Sequence, residues 1–406
     1  MTISYKQTIC DDAFDGDIPV VNGDVRQGRD GLSHLRLTWF HDNDSRYIDS
    51  PKTIEEIQDV IDDLRLAVEN ADVGNFGLDT NHDAQAWAII AEQGKKLFDA
   101  MVEPGKQNGF LKVLSSATGT VSGRRLVIVC GLAVRIPWNM VFKVDVVPGQ
   151  SINFDEFLGT NLLVLHRPDQ EFTITEAVSD GVPDAFVRAA RSRSGREIGH
   201  IWDDKFLLHS QPINSRWYYN LTVAKRNELP PLSSLLPHRL AMNNYLLTFM
   251  TQSRDFLHFD CHGQILRPTN PHQTSICMRD AFVAQYDDLV KMDFVGNVRL
   301  LAILNVCLSG YGRLQVVDGG LAESFNKRGI GGIVAPMMKV PYNVAMQLSR
   351  IIYEKSNAGM TLIEAFGFGQ QHVAQSNPGV LMYSPFGNME FWTSALWSDA
   401  HRADAA

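Results

Sequence analysis

The chain has 406 residues, 45% of them hydrophobic and 20% charged, with a formal net charge of -9. That is ordinary globular composition, enough for one large domain or two smaller ones. It speaks against a nucleic-acid binder, which carries a basic face; the one short basic run, Val187 to Glu197, reads as a solvated surface.

The five cysteines, Cys10, Cys130, Cys261, Cys277 and Cys307, are odd in number and irregular in spacing. The first residues show no basic stretch followed by an apolar one, so no signal peptide is expected. No apolar run is long enough to span a bilayer. These features predict a cytoplasmic, reducing setting, without membrane contact, in which cysteines are buried, catalytic or metal-bound.

Residues 1–30 are rich in Asp and Gly and predict a loose arm. Leu32 to Phe40 alternates as a strand. Ser50-Pro51 reads as an N-cap and first helical position, followed by Ile54, Ile57, Val60, Ile61, Leu64 and Val68 at helical spacing. A second helix is predicted from His82 to about Val102. Five continuous apolar runs then read as strands: Arg124 to Gly131, Thr160 to Pro168, Asp255 to Gly263, Val298 to Gly310 and Gly329 to Met337. Runs without polar alternation suit strands covered on both faces. Helical segments lie between or after them, at Leu236 to Ser253, Gly319 to Gly329, Pro341 to Gly359 and Thr361 to Gln375. The alternation predicts an α/β fold with a mostly parallel sheet. Residues 1–80 read as an N-terminal extension or accessory region, and 81–400 as the main domain. Trp217, Tyr218 and Tyr219 read as packing residues.

Ligands of open α/β sheets bind beyond the carboxyl ends of the strands. Two predicted strands carry reactive residues there: one ends Asp260-Cys261-His262-Gly263, the other Asn305-Val306-Cys307-Leu308-Ser309-Gly310. If they are parallel neighbours, His262 and Cys307 share one rim, and a thiol with an imidazole makes a nucleophile–base pair. Gly263 permits a tight turn, and the N–H groups of Gly263 and Cys307 are candidate oxyanion donors. Alternation along the strand puts one of Cys261 and His262 away from the rim, so Cys261 reads as core packing. His258, Cys261, His262, His272 and Cys277 also suggest zinc, but their spacing is not that of a paired knuckle. No Asp-rich calcium loop is present, and no cofactor is expected.

A strand ending in His-Gly, followed by one ending in Cys-x-x-Gly, resembles caspase-like peptidases. "FLHFDCHG" and "LNVCLSG" are similar to the His and Cys motifs of the CHAT branch. The segments after Gly320 follow that family's order, and Arg124 to Phe142 resembles its strand leading into an Ile-Pro-aromatic turn. The resemblance covers about residues 80 to 395, without the TPR repeats often found beside such domains. It implies a caspase-like three-layer α/β/α sandwich and a cysteine endopeptidase, with Cys307 as nucleophile and His262 as general acid/base. Related metacaspases that cleave after Arg or Lys carry Asp where this chain has Asn305. Neutral P1 side chains are therefore expected, with Asp260, Asn305 and Asp318 as substrate-binding candidates. Relatives of this kind act in prokaryotic defence and cell death, some beside bacterial gasdermins and some under CRISPR complexes. A protein substrate, such as a gasdermin, and a sensor or activator protein are the expected partners. The stretches Gln264 to Asn297 and Tyr311 to Gly320 are expected to be loops that hold activity off. A catalytically silent scaffold and a thiol acyltransferase are the alternatives.

Overall fold

Strands with apolar side chains on both faces need helices on both sides, and the runs above assemble accordingly. The structure, a computed structural model, describes residues 18–28, 30–41, 44–71, 80–116, 119–168, 198–202, 256–265, 273–278, 282–284, 286–290, 301–314, 319–328, 330–357 and 360–387. The strands are β1 (Val20–Gln27), β2 (Ser33–His41), β3 (Asp44–Thr53), β4 (Thr120–Val121), β5 (Arg124–Gly131), β6 (Leu162–His166), β7 (Ile198–Trp202), β8 (Phe256–Asp260), β9 (His262–Ile265), β10 (Thr274–Met278), β11 (Phe282–Ala284), β12 (Leu301–Asn305), β13 (Gly332–Pro336) and β14 (Tyr383–Gly387). The helices are α1 (Ile54–Asn70), α2 (Thr80–Met101), α3 (Pro104–Ser115), α4 (Leu158–Asn161), α5 (Tyr286–Leu289), α6 (Leu321–Lys327), α7 (Tyr342–Asn357) and α8 (Leu362–Ala374).

The main sheet runs β3-β2-β1-β5-β6-β14-β13-β12-β8-β7, with β4 beside β5. Its centre is mostly parallel: β5 with β6, β12 with both β8 and β13, and β8 with β7. β14 is antiparallel to β13 and closes the gap to β6. Side-chain alternation divides the core between the faces. On one face Leu126, Ile128, Leu301, Ile303 and Val334 meet Val344, Leu348 and Phe366 of α7 and α8. On the other, Ala302, Leu304 and Ile333 meet Leu321 and Phe325 of α6, while Val127 and Val129 join α1, α2 and α3. The result is a three-layer α/β/α sandwich.

The described residues ahead of 81 are built into this architecture. β1 pairs in parallel with β5, and β2 and β3 follow antiparallel, so the extension widens the same sheet. Val20 to Gln27 is strand, which corrects the loose-arm expectation for that stretch; residues 1–17 lie outside the described residues. The first helix begins after Thr53, not Ser50. Thr53 accepts from the Glu56 N–H, and Glu56 accepts in return from the Thr53 N–H, a capping box worth about 1 kcal/mol. Ser50 is occupied elsewhere, its hydroxyl accepting from Leu35 N–H on the neighbouring strand. Ile54, Ile57, Ile61, Leu64 and Val68 form the buried stripe of α1.

The Asp255–Gly263 run is two strands, not one. β8 stops at Asp260, and His262 opens β9 in a separate sheet of order β11-β10-β9. The stretch after Gln264, expected as loop, thus holds strands in its described part. The expected helix Leu236–Ser253, the basic run and Trp217–Tyr219 lie outside the described residues. Among the described residues no helix is long and apolar enough to cross a membrane.

Candidate active site

The two reactive segments leave the sheet side by side. β8 and β12 are parallel with Asp260 opposite Asn305, so His262 and Cys307 each follow their strand end by the same step. Cys261 N–H donates to Asn305 O (3.3 Å) and carries the pairing past the end of β8. His262 is described by its backbone, which pairs with Cys277 in β9–β10. Gly263 lies directly on the turn that Cys307 opens: a Cβ placed there would stand 3.0 Å from Cys307 N and overlap the Cys307 carbonyl oxygen. Glycine is required at this close approach.

Cys307 opens a tight turn. Ser309 N–H donates to Val306 O (3.1 Å) and Tyr311 N–H to Leu308 O (3.1 Å). Leu308 takes φ 63°, a left-handed conformation that costs a branched residue about 1–2 kcal/mol. The surroundings hold it there. Leu308 N–H donates to Met338 O (3.4 Å), Gly310 N–H to Pro336 O (2.9 Å), and Thr274 Oγ1 of β10 to Leu308 O (3.1 Å). The small sheet is thereby fastened to the turn that follows Cys307.

Cys307 is partly exposed. Desolvation by the surrounding protein pushes its thiol above the ordinary value; a backbone hydrogen bond at Val340 and the charge of Lys339 pull the other way, and Glu69 adds to the rise. The resting group is a thiol, whose ionisation needs a base. Cys261, by contrast, is 1% exposed and packs with Phe259, Ile276 and Leu304, on the face opposite Asp260. His258 points the other way from Cys261, and His272 lies outside the described residues; among the described residues no three His, Cys, Asp or Glu side chains are gathered for a metal.

Asp260 and Asn305 meet on the α7 side of the sheet, beneath the rim. Asn305 Nδ2 donates to Asp260 Oδ1 (2.7 Å) and Ser349 Oγ (2.9 Å) and lies 3.0 Å from His258 Nε2. Tyr383 OH donates to Asn305 Oδ1 (2.8 Å), and Tyr353 OH stands 3.0 Å from His258 Nδ1. Burial raises both phenols well above their usual value, Tyr353 further through the charge of Asp260 and Tyr383 through Cys307 once its thiol ionises and through Asp260, so both stay neutral. Asp260 is 0% and Asn305 3% exposed, and their polar atoms face one another. Asp318 lies outside the described residues. Ser349, Tyr353 and Tyr383 were not anticipated. Their signal is weak but readable: Ser349 and Tyr353 lie among the apolar residues of the stripe of α7 that includes Ala345, Leu348 and Ile352, which demands polar partners.

The family model of the CHAT domain matches residues 92–398, well over half of the chain. The chain belongs to the CHAT-domain family. A search of curated proteins found no match. Two solved structures of the Saccharomyces cerevisiae separase-securin complex resemble the CHAT chain in fold. The one at 2.6 angstrom has 11% identity and a TM-score of 0.50, and the one at 3.0 angstrom has 10% identity and a TM-score of 0.47. Each match covers 91% of the CHAT chain but 30% of the other chain, so the CHAT chain spans about a third of that protein's length. The caspase-like sandwich expected from the motifs is thus the fold observed.

Proposed function

We propose that this CHAT chain is a cysteine endopeptidase in which Cys307 is the nucleophile and His262 the general acid and base. The observation that supports it most is the seating of the His262-Gly263 segment on the Cys307 turn, at the carboxyl ends of two adjacent parallel strands. In this reading His262 takes the thiol proton, and the sulfur attacks the peptide carbonyl carbon. The N–H groups of Gly263 and Cys307 stabilise the oxygen of the tetrahedral intermediate. His262 then protonates the leaving amine, and water hydrolyses the thioester. In this reading Asp260 and Asn305, enclosed beneath the rim, bear on the P1 side chain from below the nucleophile, and Asp318 contributes from the segment that follows Cys307. No metal takes part in these steps.

The substrate in this reading is a specific protein, such as a bacterial gasdermin, cut in prokaryotic defence or cell death within the cytoplasm. A second protein acts as sensor and activator. Support for protein partners comes from the fold relative, whose structure is a separase-securin complex. The test is incubation of the purified chain, with and without candidate activators, with a peptide library read by mass spectrometry. Cleavage lost in Cys307→Ala supports the proposal; cleavage unchanged in that variant overturns it. New bonds in place of hydrolysis would identify an acyltransferase instead.

A further inference from the structure

α1 lies ahead of the family match yet grips the turn that carries Cys307. Its Gln58 is 1% exposed and works with both ends of its amide. Nε2 donates to Tyr311 OH (2.9 Å), and Oε1 accepts from Leu314 N–H (2.8 Å). Tyr311 OH donates in turn to Asp62. Asp62 also faces Arg313 at 3.7 Å, and the Arg65 guanidinium stands 6.0 Å from the Tyr311 ring. Across the loop, Arg135 donates to Arg313 O (2.8 Å) and pairs through two bonds with Glu323 (2.9 and 3.0 Å). The segment from Tyr311 to Leu314 is therefore held from two sides.

Tyr311 is also part of the nucleophile turn, because its N–H closes on Leu308 O. Leu308 keeps its left-handed backbone only where its neighbours over-determine it. An apolar contact would have docked α1 at lower desolvation cost; a buried Gln–Tyr–Asp chain adds directional bonds instead. Directional bonds are what orientation of a reacting atom requires, since a misplacement of about 1 Å costs about a hundredfold in rate.

We infer that Gln58, Asp62 and Tyr311 are positioning residues for the reaction proposed above: α1 sets the pose of Cys307 through the Tyr311–Leu314 segment. The inference rests on that reading of Cys307. It makes the N-terminal extension part of the working enzyme rather than an added layer.

The test uses the full chain and a peptide that the wild type cleaves, with kcat and KM measured separately. Gln58→Leu and Tyr311→Phe should each lower kcat by about tenfold or more, with KM within about twofold and the thermal midpoint little changed. The double variant should be no slower than the slower single, because one chain of bonds is broken once. Asp62→Asn, which still accepts from Tyr311, should stay near wild type, whereas Asp62→Leu should not. Unchanged kcat in both single variants, independent losses that multiply, or losses that follow only the folded fraction would overturn the inference. Hydrogen exchange at residues 308–314 gives a readout that needs no substrate. Faster exchange in Gln58→Leu and Tyr311→Phe supports the link, and unchanged exchange overturns it. If Cys307→Ala cleaves like wild type, the peptidase reading fails on its own, separately from this exchange result.

Discussion

Gly263 touches Cys307 backbone to backbone, across a chain separation that holds β10 and β11 of the small sheet. The contact leaves no room for a side chain, and it brings the residue after His262 onto the Cys307 turn. Gly263→Ala should therefore push the two segments apart. A fall in kcat of about a hundredfold is expected, with a smaller effect on thermal stability. Wild-type turnover in this variant would show that the contact does not set the reacting geometry.

Cys307, His262 and Cys261 should separate cleanly. Cys307→Ala and His262→Ala should each abolish cleavage while the protein stays folded. Cys261→Ala should keep most activity, at a stability cost of about 1 kcal/mol for a small cavity on the opposite face. Peptide cleavage and thermal melting of the three variants check this; activity surviving in His262→Ala would remove the base from the mechanism.

Cys307 should alkylate slowly at neutral pH. Its thiol is held above the ordinary value, so the fraction ionised keeps growing as pH rises through and beyond 9. Replacing the Lys339 cation by Gln should move the profile to higher pH, and replacing Glu69 by Gln should move it lower. Iodoacetamide labelling of Cys307, followed by mass spectrometry across pH, gives the curve. A plateau already reached at pH 7 would contradict the assigned environment.

Asn305 is neutral for a reason that its neighbour supplies. Its amide Nδ2 stands 2.7 Å from the Asp260 carboxylate, so Asn305→Asp would set two buried carboxyls in contact. Their folded-state pKa would rise above the unfolded value near 4. Stability would then be nearly intact below that value and lost as pH rises through it. The variant should melt well below wild type at pH 8, with about 3 kcal/mol lost, and much closer to it at pH 4. Equal losses at both pH values would rule out the carboxyl pair as the cause.

Specificity at P1 should follow the same pair. Asp260 already receives a hydrogen bond from Asn305 and is enclosed, so little free charge is offered to a cationic side chain. Neutral P1 residues should be cleaved at least as well as Arg or Lys. A library profile with strict Arg or Lys at P1 would refute this.

Much of the sheet was legible in the chain because burial on both faces leaves an unmistakable local mark. Arg124–Gly131, Leu162–His166, Leu301–Asn305 and Gly332–Pro336 are apolar runs that no exposed element would carry. The segment around His262 was legible as a strand end but not as the opening of a second sheet, because β9 is short and takes its partner from β10. The first helix was legible by its stripe and misread at its start: Ser50-Pro51 and Thr53-x-x-Glu56 are both start signals, and only the bond from Leu35 N–H to the Ser50 hydroxyl removes Ser50 from the choice.

What the sequence determined by itself is the set of groups and the strands that carry them: a thiol, an imidazole and a glycine at the carboxyl ends of two apolar runs. Tertiary structure decided which of their neighbours they meet. Asn305 finds Tyr383, Ser349 and Asp260, and Tyr311 finds Gln58 and Asp62, through hydrogen bonds between residues far apart in the chain. Hydrophobic periodicity repeats every few residues and can be read in a short window. A hydrogen bond between distant side chains leaves no local pattern, because its partner is chosen by how the layers pack.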